Sequence, residues 1–303
     1  MMLNCFALVV CYNPDDRILL NLVEVLSTQT RKILLLNNGG LGAEFLSKII
    51  DFKNVEIVDF NGNVGLPKAL NAGMQIAIEA AAEWVVTFDQ DSQPPADHVA
   101  SLVRAWQVKS AQGFKVGAIG PVFVDDRDPS IRYPFYMPSG LVVRRVTDPV
   151  SDGCAETGVL ITSGMLVATK VWQDQLRYCD PLFVDFVDTE WCFRATSRGY
   201  HLFGCFNVEM RHRPSDRKPI RLPGILLFGY SPLRRYYYFR NTLWVLKMPH
   251  VSLAFKLRIA LGSGIRIFTS PFVDKSFFKS LKGVLRGLVD GARYSANTYP
   301  FVK

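Results

Sequence analysis

The segment of residues 84–91 constrains the fold of this chain more than any other. The apolar run of residues 84–88 ends abruptly at Asp89 and Asp91, which are separated by one residue. Such a run is typical of a buried parallel strand, and because side chains alternate along a strand, the two carboxylates should point to the same side. Ligand sites of open α/β sheets lie at the carboxyl ends of strands. The pair therefore suits a hard cation such as Mg²⁺ or Mn²⁺ bridging phosphate oxygens, although a simple loop turn could use the same residues.

Strand and helix patterns alternate along the chain. Short apolar runs are followed by stretches of helical periodicity, and this βαβα order predicts an α/β fold with a Rossmann-like, mostly parallel mixed sheet and helices on both faces. Residues 125–158 contain several Pro, Gly and Asp and are predicted to form a long irregular loop region. The predicted strands cover residues 3–12, 32–36, 55–60, 84–88, 116–124, 159–168 and 201–210, and the predicted helices end near residues 26, 82, 112 and 197.

The composition indicates a folded protein with a sizeable core. Of the 303 residues, 49% are hydrophobic and 12% aromatic, which excludes a disordered chain. Residues 1–13 have neither a basic start nor a small-residue cleavage site, so they are predicted to form the first strand rather than a signal peptide. The cysteines lack any Cys-x-x-Cys pairing and are predicted to be buried thiols in a reducing compartment, not a zinc site or a disulfide framework. They are Cys5, Cys11, Cys154, Cys179, Cys192 and Cys205.

Positive charge is concentrated towards the carboxyl end. Residues 217–303 carry 16 Lys and Arg but only two acids, a net charge of +14, whereas the whole chain carries +8. A basic segment that is also apolar and aromatic indicates a polyanionic partner, and both nucleic acid and an anionic membrane surface fit that description. No uncharged apolar run reaches the roughly 18 residues expected of a transmembrane helix. Residues 251–272 come closest, but three cations interrupt them.

Residues 275–293 favour the membrane surface as the partner. In a helical projection, basic side chains fall on one face and apolar side chains on the other, as in helices that lie in a membrane interface. The alternative is a surface helix packed on its own domain, because apolar stripes usually face a core. The basic face holds Lys275, Lys279, Lys282, Arg286 and Arg293, and the apolar face holds Phe277, Phe278, Leu281, Val284, Leu285, Leu288 and Val289.

Several short motifs follow one another along the chain, each at the end of a predicted strand or at the start of the next helix. They are Val9-Val10-Cys11-Tyr12-Asn13-Pro14, Asn37-Asn38-Gly39, Asn63-Val64-Gly65 with Asn71-Ala72-Gly73, and Asp89-Gln90-Asp91-Ser92. Together they resemble the motifs of the family 2 glycosyltransferases, which have the GT-A fold. Two later segments, residues 183–195 and 232–241, are similar to signatures of the bacterial rhamnosyltransferase branch. The resemblance covers about residues 3–247.

The resemblance implies a two-part organisation and an activity. Residues 1–215 would form the GT-A catalytic domain, and residues 216–303 a basic C-terminal helical region that associates with the membrane or the acceptor. The enzyme would transfer L-rhamnose from dTDP-L-rhamnose, with inversion, to a hydroxyl of a lipid-linked glycan or glycolipid in cell-surface polysaccharide synthesis. It would be cytoplasmic and peripheral on the inner face of the bacterial cytoplasmic membrane, and it would not bind nucleic acid.

The resemblance also implies a nucleotide-sugar site at the strand ends. The motif at Asn63 and Gly65 opens a helix whose amino end favours negative charge, although a turn and a helix cap would use the same residues. Arg234, Arg235 and Arg240 could clamp a diphosphate or bind lipid head groups. The implied nucleotide-sugar contacts are Tyr12, Asn13, Pro14, Asn37, Asn38, Asn63, Gly65, Lys68, Asp89, Ser163, Gly164, Arg235 and Arg240.

Metal binding is implied for three residues. Asp89 would contact the ribose or the metal, and Asp91 would hold Mg²⁺ or Mn²⁺ against the diphosphate. His212 matches a further metal or diphosphate contact, although a lone histidine is more often structural. The cation would offset the charge that builds on the departing nucleoside diphosphate.

Asp188 is implied as the general base. An inverting transfer needs one group that removes the proton of the acceptor hydroxyl as its oxygen attacks the anomeric carbon. Asp185 and Glu190 are close alternatives for this role, and Asp188 could instead only cap the helix that begins there.

One departure from the family pattern concerns the nucleobase. Relatives often carry Asp where this chain has Asn37; an amide can still hydrogen-bond a uracil or thymine edge, but UDP- or GDP-linked sugars remain alternative donors. A nucleotidyltransferase of related fold is another alternative, and it would favour a Gly-rich basic loop that residues 11–15 lack. A non-catalytic basic module that binds membranes or nucleic acid would explain the C-terminal charge but not the ordered motifs.

Overall fold

A nine-stranded sheet forms the centre of the part of the chain that the structure describes. The computed structural model describes residues 3–126, 128–212, 220–222, 225–227 and 229–293. In chain order the strands are β1 (Cys5–Cys11), β2 (Lys32–Asn37), β3 (Val55–Asp59), β4 (Trp84–Asp89), β5 (Val116–Asp125), β6 (Asp128–Tyr133), β7 (Phe135–Ser139), β8 (Val142–Val146), β9 (Cys154–Glu156), β10 (Met165–Ala168), β11 (His201–His212), β12 (Ile220–Leu222) and β13 (Ile225–Leu227). The helices are α1 (Asp16–Ser27), α2 (Ala43–Ile49), α3 (Leu66–Glu79), α4 (His98–Ala111), α5 (Thr169–Gln173), α6 (Val187–Ser197), α7 (Pro232–Lys247), α8 (Leu253–Val273) and α9 (Phe277–Arg293), with a 3-10 turn at Asp180–Leu182.

The sheet is mostly parallel where the predicted site lies. Its strand order is β3-β2-β1-β4-β10-β5-β11-β9, and β6 pairs with β5. The first four strands in this order are parallel, β10 runs antiparallel between β4 and β5, and β5 and β11 are parallel. The predicted mostly parallel mixed sheet is therefore confirmed. Because β10 runs opposite to β4, the start of β10 lies at the edge where β4 ends.

The helices pack closely on an apolar sheet. The strands β1, β2 and β4 are almost entirely buried, as expected for parallel strands covered by helices. Asp15 caps α1 by accepting hydrogen bonds from two backbone N–H groups of its first turn. Gly73 lets α3 approach the sheet, since a Cβ there would lie 3.0 Å from side-chain atoms of Leu8 and Leu36. The glycine of the Asn71-Ala72-Gly73 motif thus has a packing role.

Two predictions about the middle of the chain were wrong. Residues 125–158 are not a long irregular loop, because they contain β6, the β7–β8 hairpin and β9. The β7 and β8 strands are short and partly exposed, so their sequence shows little apolar alternation. The strand predicted at 159–168 is reduced to β10, since Gly164 takes φ +71° and turns the chain just before Met165.

The prediction that all six cysteines are free thiols is wrong for two of them. Cys154 of β9 and Cys205 of β11 are paired in a disulfide, whereas the other four are free and buried. The two residues lie opposite each other in the antiparallel β9–β11 ladder, although they are 51 residues apart in the chain. Sequence spacing alone could not reveal this pairing.

The C-terminal helices pack on one another and on the catalytic part of the chain. The helix predicted at residues 275–293 is α9, and it packs against α7 through small residues rather than through its large apolar side chains. The described residues include no helix that is long and apolar enough to span a bilayer. The alternative that α9 packs on its own protein is therefore confirmed, whereas its placement in a membrane interface stays a prediction. Apolar side chains of α9 such as Phe278 and Leu285 are exposed.

Candidate functional site

The carboxyl ends of four parallel strands meet at one edge of the sheet. The register pairs Cys11 of β1 with Asn37 of β2, Asn37 with Asp59 of β3, and Val10 of β1 with Asp89 of β4. Polar groups that are up to 78 residues apart in sequence are therefore neighbours here. This is the edge at which open α/β sheets bind ligands.

The loop after β1 is fixed by the residue between the two aspartates. The backbone N–H of Tyr12 donates to Gln90 Oε1 at 2.7 Å, and Gln90 Nε2 donates back to the carbonyl of Tyr12 at 3.2 Å. Asn13 takes φ +44° and donates its N–H to the carbonyl of Gly39 at 2.9 Å, just before Pro14. The Tyr12 ring remains 51% exposed at the edge of the site. Gln90 was missed from the sequence, because nothing local shows that its amide would reach another strand end.

Asn37 has a carboxylate partner that sequence reasoning also missed. Its Nδ2 donates to Asp59 Oδ2 at 3.0 Å, and its Oδ1 accepts the N–H of Gly39 at 2.9 Å. The amide is therefore oriented with its nitrogen towards Asp59. Asn38 is buried, and it links instead to Val64 N and the Gly65 carbonyl, so its side chain supports the neighbouring loop.

The loop before α3 contacts protein where a diphosphate contact was expected. Asn63 Oδ1 accepts the N–H of Gly65 at 2.9 Å, and Gly65 takes φ +87°. The N–H of Leu66, the first residue of α3, donates to the carbonyl of Phe183 at 2.7 Å. Gly65 is needed there because a Cβ would lie 2.7 Å from the Phe183 ring. Lys68 is exposed on the first turn of the helix.

Ser163 and Gly164, two of the predicted nucleotide-sugar contacts, lie beside the end of β4. Ser163 Oγ is 3.3 Å from the N–H of Asp89, which donates to it, and 2.5 Å from Ser92 Oγ. The carbonyl of Gly164 is 3.0 Å from Nε2 of the buried His98. Burial lowers the pKa of His98 to about 4, so this ring is neutral near pH 7 and can donate from Nε2. These hydrogen bonds fix residues 163 and 164 beside the end of β4.

The acidic residues near the site differ in their partners. Asp185 forms a bidentate ion pair with Arg234, and Glu190 is fully buried with Arg194. Asp188, on the first turn of α6, has no cationic partner among the described residues. Burial raises the pKa of Asp188 to about 6, and the negative charges of Asp89 and Asp185 add to this effect, while the N–H of Thr189 opposes it. The structure thus brings Asp188 into electrostatic reach of Asp89.

Two of the three predicted metal ligands are carboxylates at the end of β4. Asp89 and Asp91 are both partly buried, and among the described residues no cluster of three or more His, Cys, Asp or Glu side chains could hold an ion by itself. Two carboxylates suit a hard cation whose other ligands come from a diphosphate. The backbone of His212 ends β11, and a bridge between Gln93 and Arg211 holds that end beside the segment after Asp91. The side chain of His212 lies outside the described part of the structure.

Two arginines expected at the ligand contact protein groups instead. Arg235 is 1% exposed and pairs with the buried Asp274, with nitrogen–oxygen distances of 2.7 and 2.9 Å. A buried guanidinium in such a pair is held away from a ligand, so Arg235 has a structural role. Arg240 donates to the carbonyls of Pro181 and Leu182. The burial of Arg235 does not fit the predicted diphosphate contact, whereas the contact of the partly buried Arg240 with the ligand stays a prediction.

Comparisons with known proteins agree with this fold. The model of glycosyl transferase family 2 matches residues 7–154. The dTDP-rhamnosyl transferase RfbF of Shigella flexneri is 31% identical over 305 residues, which cover 97% of this chain and 99% of that protein. Residues 1-349 of S. aureus TarS in complex with UDP-GlcNAc give a TM-score of 0.54 at 14% identity, over 96% of this chain and 80% of that one. GalNAc-T7 with UDP, GalNAc and Mn2+ gives 0.56 at 13% identity, over 99% and 58%.

These structural neighbours are glycosyltransferases of the GT-A type, so the predicted fold is confirmed. At 13–14% identity they show the fold alone. The relationship to RfbF is closer and extends over nearly the full length of both chains. Together with the match of the family model, it shows that this chain belongs to glycosyl transferase family 2.

Proposed function

We propose that the enzyme transfers L-rhamnose from dTDP-L-rhamnose to a hydroxyl group of a lipid-linked glycan or glycolipid. The observation that carries this proposal is the 31% identity to a dTDP-rhamnosyl transferase over 97% of the chain. That identity extends through the C-terminal helices, beyond the residues matched by the family model. It therefore favours a shared donor more strongly than the common fold does.

The nucleotide would lie across the ends of β1, β2 and β3. The half-exposed ring of Tyr12 offers an apolar face for the base. Asn37 and Asp59 together present an amide N–H and a carboxylate, which match the acceptor and donor groups on a thymine edge. Asn13 and Pro14 would shape the loop beneath the ribose, and Asn38 would support it from within. Lys68, exposed on α3, could reach the diphosphate; Asn63 and Gly65 would shape the turn beside it.

Mg²⁺ or Mn²⁺ would be held by Asp89 and Asp91 together with the diphosphate, with His212 as a further contact. When bound, the ion stabilises the charge that develops on the departing nucleoside diphosphate. The two carboxylates at the end of β4 support this assignment. Ser163 and Gly164, hydrogen-bonded beside Asp89, would form the floor under the transferred sugar.

Asp188 would act as the general base in a single inverting displacement. Its carboxylate would take the proton of the acceptor hydroxyl as that oxygen attacks the anomeric carbon, while the bond from this carbon to the diphosphate breaks. A pKa near 6 leaves the carboxylate ionised at neutral pH and still basic enough to accept a proton. Asp185 and Glu190 are weaker candidates because each already has an arginine partner.

The C-terminal helices would hold the enzyme on the inner face of an anionic membrane. An apolar stripe on α8 is exposed to solvent, and Phe268, Phe272 and Phe278 are 75–81% exposed. The cations of α9 that were predicted to face lipid phosphates are exposed as well. Aromatic side chains next to Lys and Arg are the features of an interfacial helix. This placement would bring the site to an acceptor that stays in the bilayer.

A panel of nucleotide sugars tests the donor. Purified protein is incubated with dTDP-L-rhamnose, UDP-sugars and GDP-sugars in the presence of Mg²⁺ or Mn²⁺, and the released nucleoside diphosphate is measured. We expect dTDP from dTDP-L-rhamnose. Release of UDP or GDP in its place would instead support the second candidate, a family 2 transferase with another donor, which the substitution of Asn37 for the usual Asp keeps open.

A further inference from the structure

The loop that leads to Asp188 has a strained backbone. Phe183, Asp185 and Phe186 have φ values of +66°, +58° and +63°, and none of them is glycine. Residues with side chains seldom adopt this conformation, and they keep it only where the surrounding structure fixes it. Phe186 directly precedes α6, whose second residue is Asp188. The conformation of residues 181–186, the 181–186 loop, therefore sets the position of the proposed base.

One side chain of α7 is hydrogen-bonded to three of the six residues of this loop. Asn241 is fully buried, and its Nδ2 lies 2.9 Å from the carbonyl oxygen of Leu182, 2.6 Å from that of Val184 and 3.1 Å from that of Asp185. A single amide nitrogen thus serves three carbonyls of a segment that lies between the 3-10 turn at Asp180–Leu182 and α6.

Arg240 fixes the direction of that amide. Its Nε and one terminal nitrogen donate to Asn241 Oδ1 at 3.0 and 2.8 Å, and the same terminal nitrogen reaches the carbonyls of Pro181 and Leu182 at 2.6 and 3.0 Å. A guanidinium only donates hydrogen bonds, so it requires the amide oxygen on its own side. The amide nitrogen is left to face the 181–186 loop.

The loop is also held by the start of α3 and by two further side chains of α7. The N–H of Leu66 donates to the carbonyl of Phe183, and the Phe183 ring stacks on Tyr237 of α7 with centroids 4.5 Å apart. Arg234, also on α7, forms an ion pair with the carboxylate of Asp185. Four residues within two turns of α7 therefore contact one short loop, namely Arg234, Tyr237, Arg240 and Asn241.

We propose that Asn241 is a positioning residue that holds the 181–186 loop and thereby places Asp188 against the donor site. The role of the loop in catalysis rests on the proposed function of Asp188 as the base. On this account α7 belongs to the catalytic unit, although it lies in the basic C-terminal region that the sequence separated from the catalytic domain at residue 215. The similarity of residues 232–241 to a signature of rhamnosyltransferases then has a physical basis.

The experiment compares Asn241→Ala with Thr242→Val. Thr242 is the next residue of α7, is equally buried, and donates its hydroxyl to the Tyr238 carbonyl at 2.8 Å, facing α8 rather than the loop. Each variant loses buried hydrogen bonds from the same helix. For both we measure donor affinity, kcat, the pH profile of transfer, Tm, and hydrogen exchange of the backbone amides of residues 181–188.

We expect Asn241→Ala to increase exchange in residues 181–188 and to lower kcat by about 100-fold, the usual effect of misplacing a catalytic group by an ångström, while donor affinity changes little. The acidic limb of its pH profile should shift, because Asp188 changes its surroundings. Thr242→Val should lower Tm but keep kcat and the exchange pattern of the wild type. Arg240→Lys, which keeps the charge, should give a smaller fall in kcat and remains informative if Asn241→Ala does not fold.

The proposal is overturned if Asn241→Ala, or Arg240→Lys in its place, leaves hydrogen exchange and kcat as in the wild type. It is also overturned if Asn241→Ala and Thr242→Val both lose kcat in proportion to their loss of Tm. Asp188→Asn is measured alongside them. If that variant transfers rhamnose at the wild-type rate, the base assignment fails, whereas the exchange data still decide whether Asn241 holds the loop.

Discussion

Three acidic residues lie near the start of α6, and only two of them have an arginine partner among the described residues. This difference distinguishes one possible base from two structural carboxylates. Glu190 is fully buried beside Arg194, and Asp185 is held by Arg234. Asp188 has burial and neighbouring negative charge instead, and these raise its pKa to about 6. Sequence position alone could not distinguish the three, since they lie within six residues of one another.

At this residue we predict that Asp188→Asn keeps donor binding and lowers transfer by about 100-fold or more, as the loss of a general base should. In the wild type, kcat/KM should fall as the pH decreases through about 6, because the raised pKa means that the carboxylate becomes protonated there. This decrease of kcat/KM at acidic pH should be absent in Asp188→Asn. The control is Glu190→Gln, which should lower Tm by leaving Arg194 buried without its charge partner. Loss of Tm and donor affinity in Asp188→Asn would show that Asp188 is structural.

A second prediction concerns Asn37 and Asp59, the pair that we propose binds the nucleobase. Asp59→Asn should raise KM for dTDP-L-rhamnose about tenfold, the value of one charge-assisted hydrogen bond, with little change in kcat. Asn37→Asp should weaken binding too, because two carboxylates would then lie 3.0 Å apart. The double variant restores one amide and one carboxylate and should recover most of the affinity. Independent, additive losses in the double-mutant cycle would contradict the idea that the two residues act as a pair.

At the scale of elements, three glycines determine how α9 meets α7. A Cβ would lie 2.6 Å from a backbone oxygen of α7 at Gly283, 2.4 Å at Gly287 and 2.8 Å at Gly291. The spacing of four residues puts all three on one face, so the helices approach closely along a stripe of small residues. The large apolar side chains of α9 therefore remain on its other faces.

We predict that Gly287→Ala destabilises the protein by roughly 1–3 kcal/mol, the usual range for overpacking a close contact. The matched control is Gly264→Ala in α8, where no atom lies within 4 Å of the new Cβ. Alanine there should be neutral or stabilising by up to about 1 kcal/mol, because it favours helix over glycine. Urea denaturation of the two variants measures the difference. Equal stabilities would show that α7 and α9 do not depend on this contact.

The sequence predicted the elements whose pattern is local and missed those that depend on partners. The strands that end in Asn37 and Asp89 were predicted within about a residue, since buried parallel strands are apolar throughout. The strands between 125 and 158 were missed because exposed hairpins show little periodicity. The family resemblance implied that Ser163 contacts the nucleotide sugar, but its hydrogen bond with Asp89 was not predicted. The contacts of Gln90, Asp59 and Asn241 join distant segments and have no local signal.

At the scale of the whole molecule, charge and exposed apolar surface coincide. The net charge of +14 in residues 217–303 lies in the region where α8 and α9 expose their apolar side chains. Two copies of this surface would repel each other, whereas an anionic bilayer would attract it. The apolar residues exposed on these two helices are Leu253, Leu257, Leu261, Ile265, Phe268, Phe272, Phe277, Phe278, Leu285 and Val289.

Vesicle co-sedimentation tests this arrangement. Binding should require anionic lipid and weaken in high salt, because each basic residue near the surface contributes about 1 kcal/mol. It should fall when Lys275, Lys279, Lys282 and Arg286 are all changed to Gln. The control changes four exposed lysines of the catalytic part, Lys48, Lys53, Lys115 and Lys170, to Gln. Equal loss in both quadruple variants, or equal binding to neutral vesicles, would rule out a specific electrostatic surface on these helices.

The most direct test of the account follows rhamnose itself. Radiolabelled dTDP-L-rhamnose is incubated with the purified enzyme and the lipid-linked glycans of its source, and label is counted in the lipid-extractable product. The account predicts transfer by the wild type with Mg²⁺ or Mn²⁺, and none in EDTA or with Asp91→Ala. Full transfer by metal-free enzyme would contradict the role of the paired aspartates. Absence of label from dTDP-L-rhamnose, when another nucleotide sugar labels the same fraction, would contradict rhamnosyl transfer.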